Sequence, residues 1–168
     1  MLMSERTKHA IDLCVQRMFY MNRVMDNLVS NMAINWSMYK ATNLIHHNLA
    51  HLYPLIADKF SDIQQKFNER TFYLDTPGDT TEYSSLEEGF QRALDELMIT
   101  NDTIIDAIEI AKEEGDINVK VLLEDELEDM TPVIEQHILL RDKAKQYGDN
   151  YKSFDKHIDA FFFLGNDG

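Results

Sequence analysis

Proline occurs in this chain only at 54, 77 and 132, and glycine only at 78, 89, 115, 148, 165 and 168. The residues that most effectively interrupt a helix are therefore absent from long stretches, and those stretches carry helical periodicity. Between Ser4 and Tyr39, the residues Ile11, Cys14, Val15, Met18, Met25, Val29, Met32 and Trp36 recur at three- and four-residue steps. They draw one apolar stripe and predict helix A, starting behind the cap residue Ser4. At Lys40 the stripe meets a charge, and it resumes in another phase as Ile45, Leu49, Leu52, Ile56, Phe60, Ile63 and Phe67. The phase change, with Thr42 and Asn43 as caps, predicts a tight reversal and then helix B over about 43–73. Pro54 lies inside helix B, which is either kinked there or built of two pieces.

The segment "LDTPGDTTEYSS", 74–85, is rich in turn formers and has no helical period, so it reads as a connection. Fully extended at about 3.3 Å per residue it spans about 40 Å, the length of a helix of about 27 residues. That reach permits a crossover from one end of a helical bundle to the other. Helix C is predicted from Leu86 to about Glu114, with Phe90, Ala93, Leu94, Leu97, Ile104, Ile105 and Ile108 on one face. Gly115 and Asp116 stop it, and helix D follows over about 117–147 through Val119, Leu122, Leu123, Leu127, Met130, Ile134 and Ile138. After Gly148, a short helix over 151–163 carries Phe154, Ile158, Phe161 and Phe162, which must pack on the bundle or on a neighbour. Short, long and short connections between four long helices predict an all-α, single-domain chain over 1–168. This order resembles ferritin-like folds: a four-helix bundle with a long B–C crossover and a short C-terminal helix.

Thirty acidic residues against sixteen basic ones give a net charge of -14. Such a field repels phosphate backbones and anionic lipid, so direct nucleic-acid binding is disfavoured, while cations are attracted. The lone Cys14 excludes an internal disulfide and Cys-rich metal sites, and on the apolar stripe it reads as an inert core thiol. No signal-peptide pattern opens the chain, and no apolar run approaches the ~20 residues of a membrane span. The expected location is the cytoplasm, with no membrane association.

Helix B carries the residues with metal chemistry. Within "HHNLAHLYPLIADKFSDIQQKFNER", 46–70, the side chains of His47, His51, Asp58, Asp62 and Glu69 are spaced 4, 7, 4 and 7 apart. On a continuous helix at about 100° per residue they fall within an arc of about 60°. Imidazole and carboxylate together suit Fe, Mn or Zn. The ribbon lies nearly opposite the apolar series, so it faces either solvent or a second subunit. A metal centre inside the bundle is less supported, because such centres use Glu-x-x-His pairs and the chain has none. Asn22, Asp26, Asn101, Glu126 and His137 do fall on core stripes, predicting a hydrogen-bonded network or a degenerate metal site. Glu124, Asp125, Glu128 and Asp129 read as a solvated face, and no Gly-rich phosphate loop is present.

Two stretches carry a resemblance to a known family. "NERTFYLDTPGDTTEY", 68–83, is similar to the end of helix B and the following loop in the DNA-protecting, ferritin-like Dps proteins, which read AER, then TP, then EY. "AIEIAKEEGDINVKVLLEDELEDM", 107–130, resembles their helix C to helix D junction, with its acidic helix end, Gly-Asp and Leu-Leu pair. The resemblance implies a homo-oligomeric shell that binds, oxidises and stores iron, a ferroxidase-type activity with ligands shared across a two-fold interface. Glu69 matches the Glu of AER, and His51 is the nearest match to the family's helix-B histidine, one residue out of register. Gln65 stands in place of the ligand Asp, and Asn35, beside Trp36, in place of the helix-A histidine. The alternative is a ferritin-like scaffold without a working metal site, acting as a structural or interaction protein.

Overall fold

Ser4 caps the first helix as its position in the sequence predicts: its hydroxyl accepts the Thr7 N–H at 3.0 Å. In the computed structural model, which describes residues 2–165, α1 runs Glu5–Trp36. It ends at Trp36, the last residue of the stripe, because Ser37 turns into the left-handed region at φ 52° and the Met38 N–H reaches back to the Met32 carbonyl. That six-residue closure is a Schellman end made without glycine. The reversal therefore falls at Ser37–Met38, not at Thr42–Asn43.

The predicted helix B consists of α2 (Tyr39–Ile45), a π-helical turn (His46–Ala50) and α3 (Leu52–Lys66). It ends seven residues short of 73. Asn68 adopts φ 61°, and the Glu69 N–H closes on the Gln64 carbonyl at 2.9 Å, which turns the chain out of the helix. Asparagine tolerates this conformation at a helix end. After the connection, α4 covers Leu86–Glu113, capped by the Ser85 hydroxyl on the Glu88 N–H.

Helix D is two helices. α5 (Ile117–Asp129) and α6 (Thr131–Tyr147) meet at Met130, and Pro132, lacking an N–H, sits in the first turn of α6. The break shifts the buried face: Val119, Leu123 and Met130 are buried as expected, but beyond the proline the core takes Val133, His137, Leu140 and Ala144, leaving Ile134 half-buried and Ile138 exposed. α7 spans Tyr151–His157 and passes into a 3-10 turn, Ile158–Ala160. Phe154, Ile158, Phe161 and Phe162 are buried, and the Gln136 side chain holds the segment by bonding the Phe161 carbonyl and the Phe163 and Leu164 N–H groups.

Side-chain pairs fix the directions. Arg17–Glu96 and Cys14–Thr103 pair α1 with an antiparallel α4, and Asn22–Ala50 and Asp12–Gln64 pair it with the antiparallel second run. Lys59–Asp129 and Tyr53–His137 do the same for α3 against α5 and α6. α3 and α4 consequently run in the same direction, and the 67–85 connection must travel the length of the molecule. It does so along α1. The Phe72 N–H bonds Asp12, Gln16 bonds the Asp75 carbonyl, Asn27 and Asn31 bond the Thr81 carbonyl, and the Tyr83 N–H bonds Asn31. Arg92 fastens the far end through Asp79, the Tyr83 hydroxyl and the Tyr20 hydroxyl. The chain is all-α: the described residues contain no strand, their buried apolar side chains, Leu94 apart, form one cluster, and no helix among them is long and apolar enough to cross a membrane.

Candidate metal centre

The π turn is the local feature that creates a site. An α-helix places residues five apart about 140° from one another, so His46 and His51 would diverge. Here the His51 N–H bonds the His46 carbonyl, five residues back, at 3.2 Å, and the widened turn stacks one residue over the other. The two imidazole centroids are 4.3 Å apart, those of His46 and His47 are 5.0 Å apart, and those of His47 and His51 are 5.4 Å apart. One ligand nitrogen from each of the three lies within 4.8 Å of the other two. His47 and His51 are exposed, and His46 is half-buried against α1.

Pro54 supplies the reason for the irregularity. It cannot donate to the Ala50 carbonyl, and a proline ring clashes with the carbonyl four residues before it unless the preceding turn opens. The freed carbonyl is fully buried with Ala50, and the Asn22 amide of α1 donates to it at 2.9 Å. One turn further along the same face of α1, an Asp26 carboxylate oxygen lies 2.8 Å from His46 Nδ1. That contact occupies Nδ1 and leaves Nε2 as the ligand nitrogen of His46. A carboxylate behind a ligating imidazole is a recurring arrangement in metal sites, where it fixes ring orientation and raises basicity.

Three imidazole nitrogen donors with open positions toward solvent can hold a borderline divalent ion such as Zn(II), Fe(II), Co(II) or Ni(II); hard ions prefer oxygen. Of the five residues singled out in the sequence, the structure brings His47 and His51 together and adds His46. Asp58 and Asp62 are exposed on later turns of α3, and Glu69 lies beyond the helix, in the connection. None of the three acids belongs to the cluster. The ribbon assumed an unbroken 100° advance from 47 to 69; the π turn alters the phase at its start, and Asn68 ends the helix before Glu69. His46 is absent from that ribbon for the same reason. The pointer to it is Pro54: of the two readings, a kink or two pieces, the structure has two helical pieces, joined by the π turn that brings His46 in.

Of the polar residues on the core stripes, Asn22, Asp26 and His137 have local partners, while Asn101 and Glu126 are half-buried. Asn22 and Asp26 serve the π turn, and His137 is wholly buried with Nε2 2.7 Å from the Tyr53 hydroxyl. Burial lowers the His137 pKa to about 3, so the ring is neutral. Glu126 is half-buried and its carboxyl pKa is raised, chiefly by desolvation. Cys14 is buried, and desolvation, with a smaller push from Asp106, raises its thiol pKa well above the ordinary range, as an inert core thiol requires. Asn35 is exposed and donates to the Asn31 side chain, while Trp36 stacks on Tyr151. Neither a comparison with models of known protein families nor a search of curated proteins returned a match.

Proposed function

We propose that this chain is a ferritin-like four-helix bundle that binds a divalent transition metal, Fe(II) first among the candidates, through His46, His47 and His51. The observation that carries the reading is the convergence of three imidazoles within 4.8 Å on one helical turn, with Asp26 behind the first of them. The bundle topology is supported by two antiparallel helix pairs joined by a crossover strapped to α1. The net charge of -14 would concentrate cations around the site. Because His47 and His51 point away from the chain's own core, a second copy can approach them, and the reading extends to a homo-oligomer with metal held near subunit contacts. Bound Fe(II) would pass its electron to dissolved dioxygen, and the Fe(III) formed would be retained as the start of stored mineral.

The test begins with protein purified without chelator. Elemental analysis should find about one transition ion per chain, as a single three-imidazole site requires. Fe(II) added anaerobically and then exposed to air should oxidise faster than in buffer. His47→Ala/His51→Ala should abolish both effects while leaving the helical circular dichroism unchanged. A wild-type protein that takes up neither Fe(II) nor Co(II) would rule the reading out and leave a helical scaffold without a metal.

A further inference from the structure

The histidine cluster depends on a backbone form that a helix does not adopt without cause. Two residues outside the cluster supply that cause from opposite sides. Pro54 withholds the N–H that would otherwise bond the Ala50 carbonyl, and Asn22, from a different helix, provides the replacement donor at 2.9 Å. The Ala50 carbonyl, buried with its residue, would carry an unsatisfied-acceptor penalty if Asn22 were absent. Conversely, an N–H at position 54 would give that carbonyl an ordinary helical partner, and the run from Tyr39 to Lys66 could then close into a continuous α-helix. In that form His46 and His51 separate by about 140° around the axis, and the three-imidazole cluster is lost.

We propose that Pro54 and Asn22 are positioning residues that hold the His46–Ala50 turn open and so assemble the histidine site, to which neither contributes a ligand atom. The inference takes its functional meaning from the metal-binding reading, but its geometry is measurable on the metal-free protein. Asp26 completes the arrangement by fixing the His46 ring from the same face of α1 that carries Asn22. The site is thus specified jointly by a proline in one helix and a hydrogen-bond donor in another.

Three full-length proteins decide it: wild type, Asn22→Leu, and Asn22→Leu/Pro54→Ala. Asn22→Leu strands the Ala50 carbonyl and should lower the thermal midpoint. The double variant restores a donor at position 54, so the midpoint should recover. A purely structural role for the pair predicts that the site recovers with it. The positioning role predicts the opposite. In the metal-free double variant, the ring-to-ring NOE expected between His46 and His51 at a 4.3 Å centroid separation should vanish. Co(II) should bind that variant about 10- to 100-fold more weakly than wild type, with a changed visible absorption band. A double variant that keeps the NOE would overturn the inference, whatever the metal result. Wild-type protein that shows the NOE but binds no Co(II) would sink the metal reading instead and leave the positioning claim standing.

Discussion

His137 and Tyr53 illustrate how one buried residue can set an acid limit. The ring is fully buried, its Nδ1 has no hydrogen-bond partner among the described residues, and its single polar contact is the Tyr53 hydroxyl. Its pKa falls from 6.5 to about 3 because burial disfavours the charged ring. Between these values the unfolded chain binds a proton that the folded chain refuses. Stability from this group is therefore intact above pH 6.5 and declines as pH falls toward 3, by up to a few kcal/mol. Urea denaturation of His137→Phe at pH 7 and pH 5 should show a smaller acid-induced loss than wild type. Tyr53→Phe alone should cost on the order of 1–2 kcal/mol, while Tyr53→Phe/His137→Leu should cost less than the two single changes summed, since both ends of the bond go together.

At the scale of elements, α1 and α4 approach closely at Gly89. A Cβ there would stand 2.5 Å from Leu28 Cδ1 and 3.5 Å from Tyr83, and Leu28 is itself fully buried. Gly89→Ala should gain about 1 kcal/mol in helix propensity yet lose about 1–3 kcal/mol by overpacking, a net destabilisation visible as a lower urea midpoint. The helices themselves were legible in the sequence because their apolar stripes persist over many turns. Their ends were less so. Ser37 takes a left-handed conformation that serine seldom adopts, and Asn68 ends α3 where the apolar and polar pattern continues. The π turn was the least legible element, since periodicity analysis assumes a constant angular step and a single widened turn violates it. That is why His47 and His51 were found and His46 was not.

For the whole molecule, charge is the dominant global property. Thirty acids against sixteen bases repel one another on a small surface, so raising NaCl from a few millimolar to about 0.15 M should increase the thermal midpoint. A salt-independent midpoint would mean that local ion pairs such as Lys8–Asp12 and Arg92–Asp79 already offset the repulsion. The order of helices and the long connection were readable because turn-forming residues cluster at 74–85. The route of that connection was not, because it rests on Asp12, Asn27 and Asn31, polar residues on a helix face that resembles a solvated one until something lies against it.

The strap leaves its mark on how the chain comes apart. Its two ends are tied to α1 and α4, but at its middle Gly78 is exposed and its Cβ direction is open. A protease cutting there would sever the polypeptide between its two helical hairpins without touching the interface that unites them. The fragments should elute together as one particle in native chromatography and separate only in denaturant, behaving as a non-covalent heterodimer whose halves can be expressed apart and mixed.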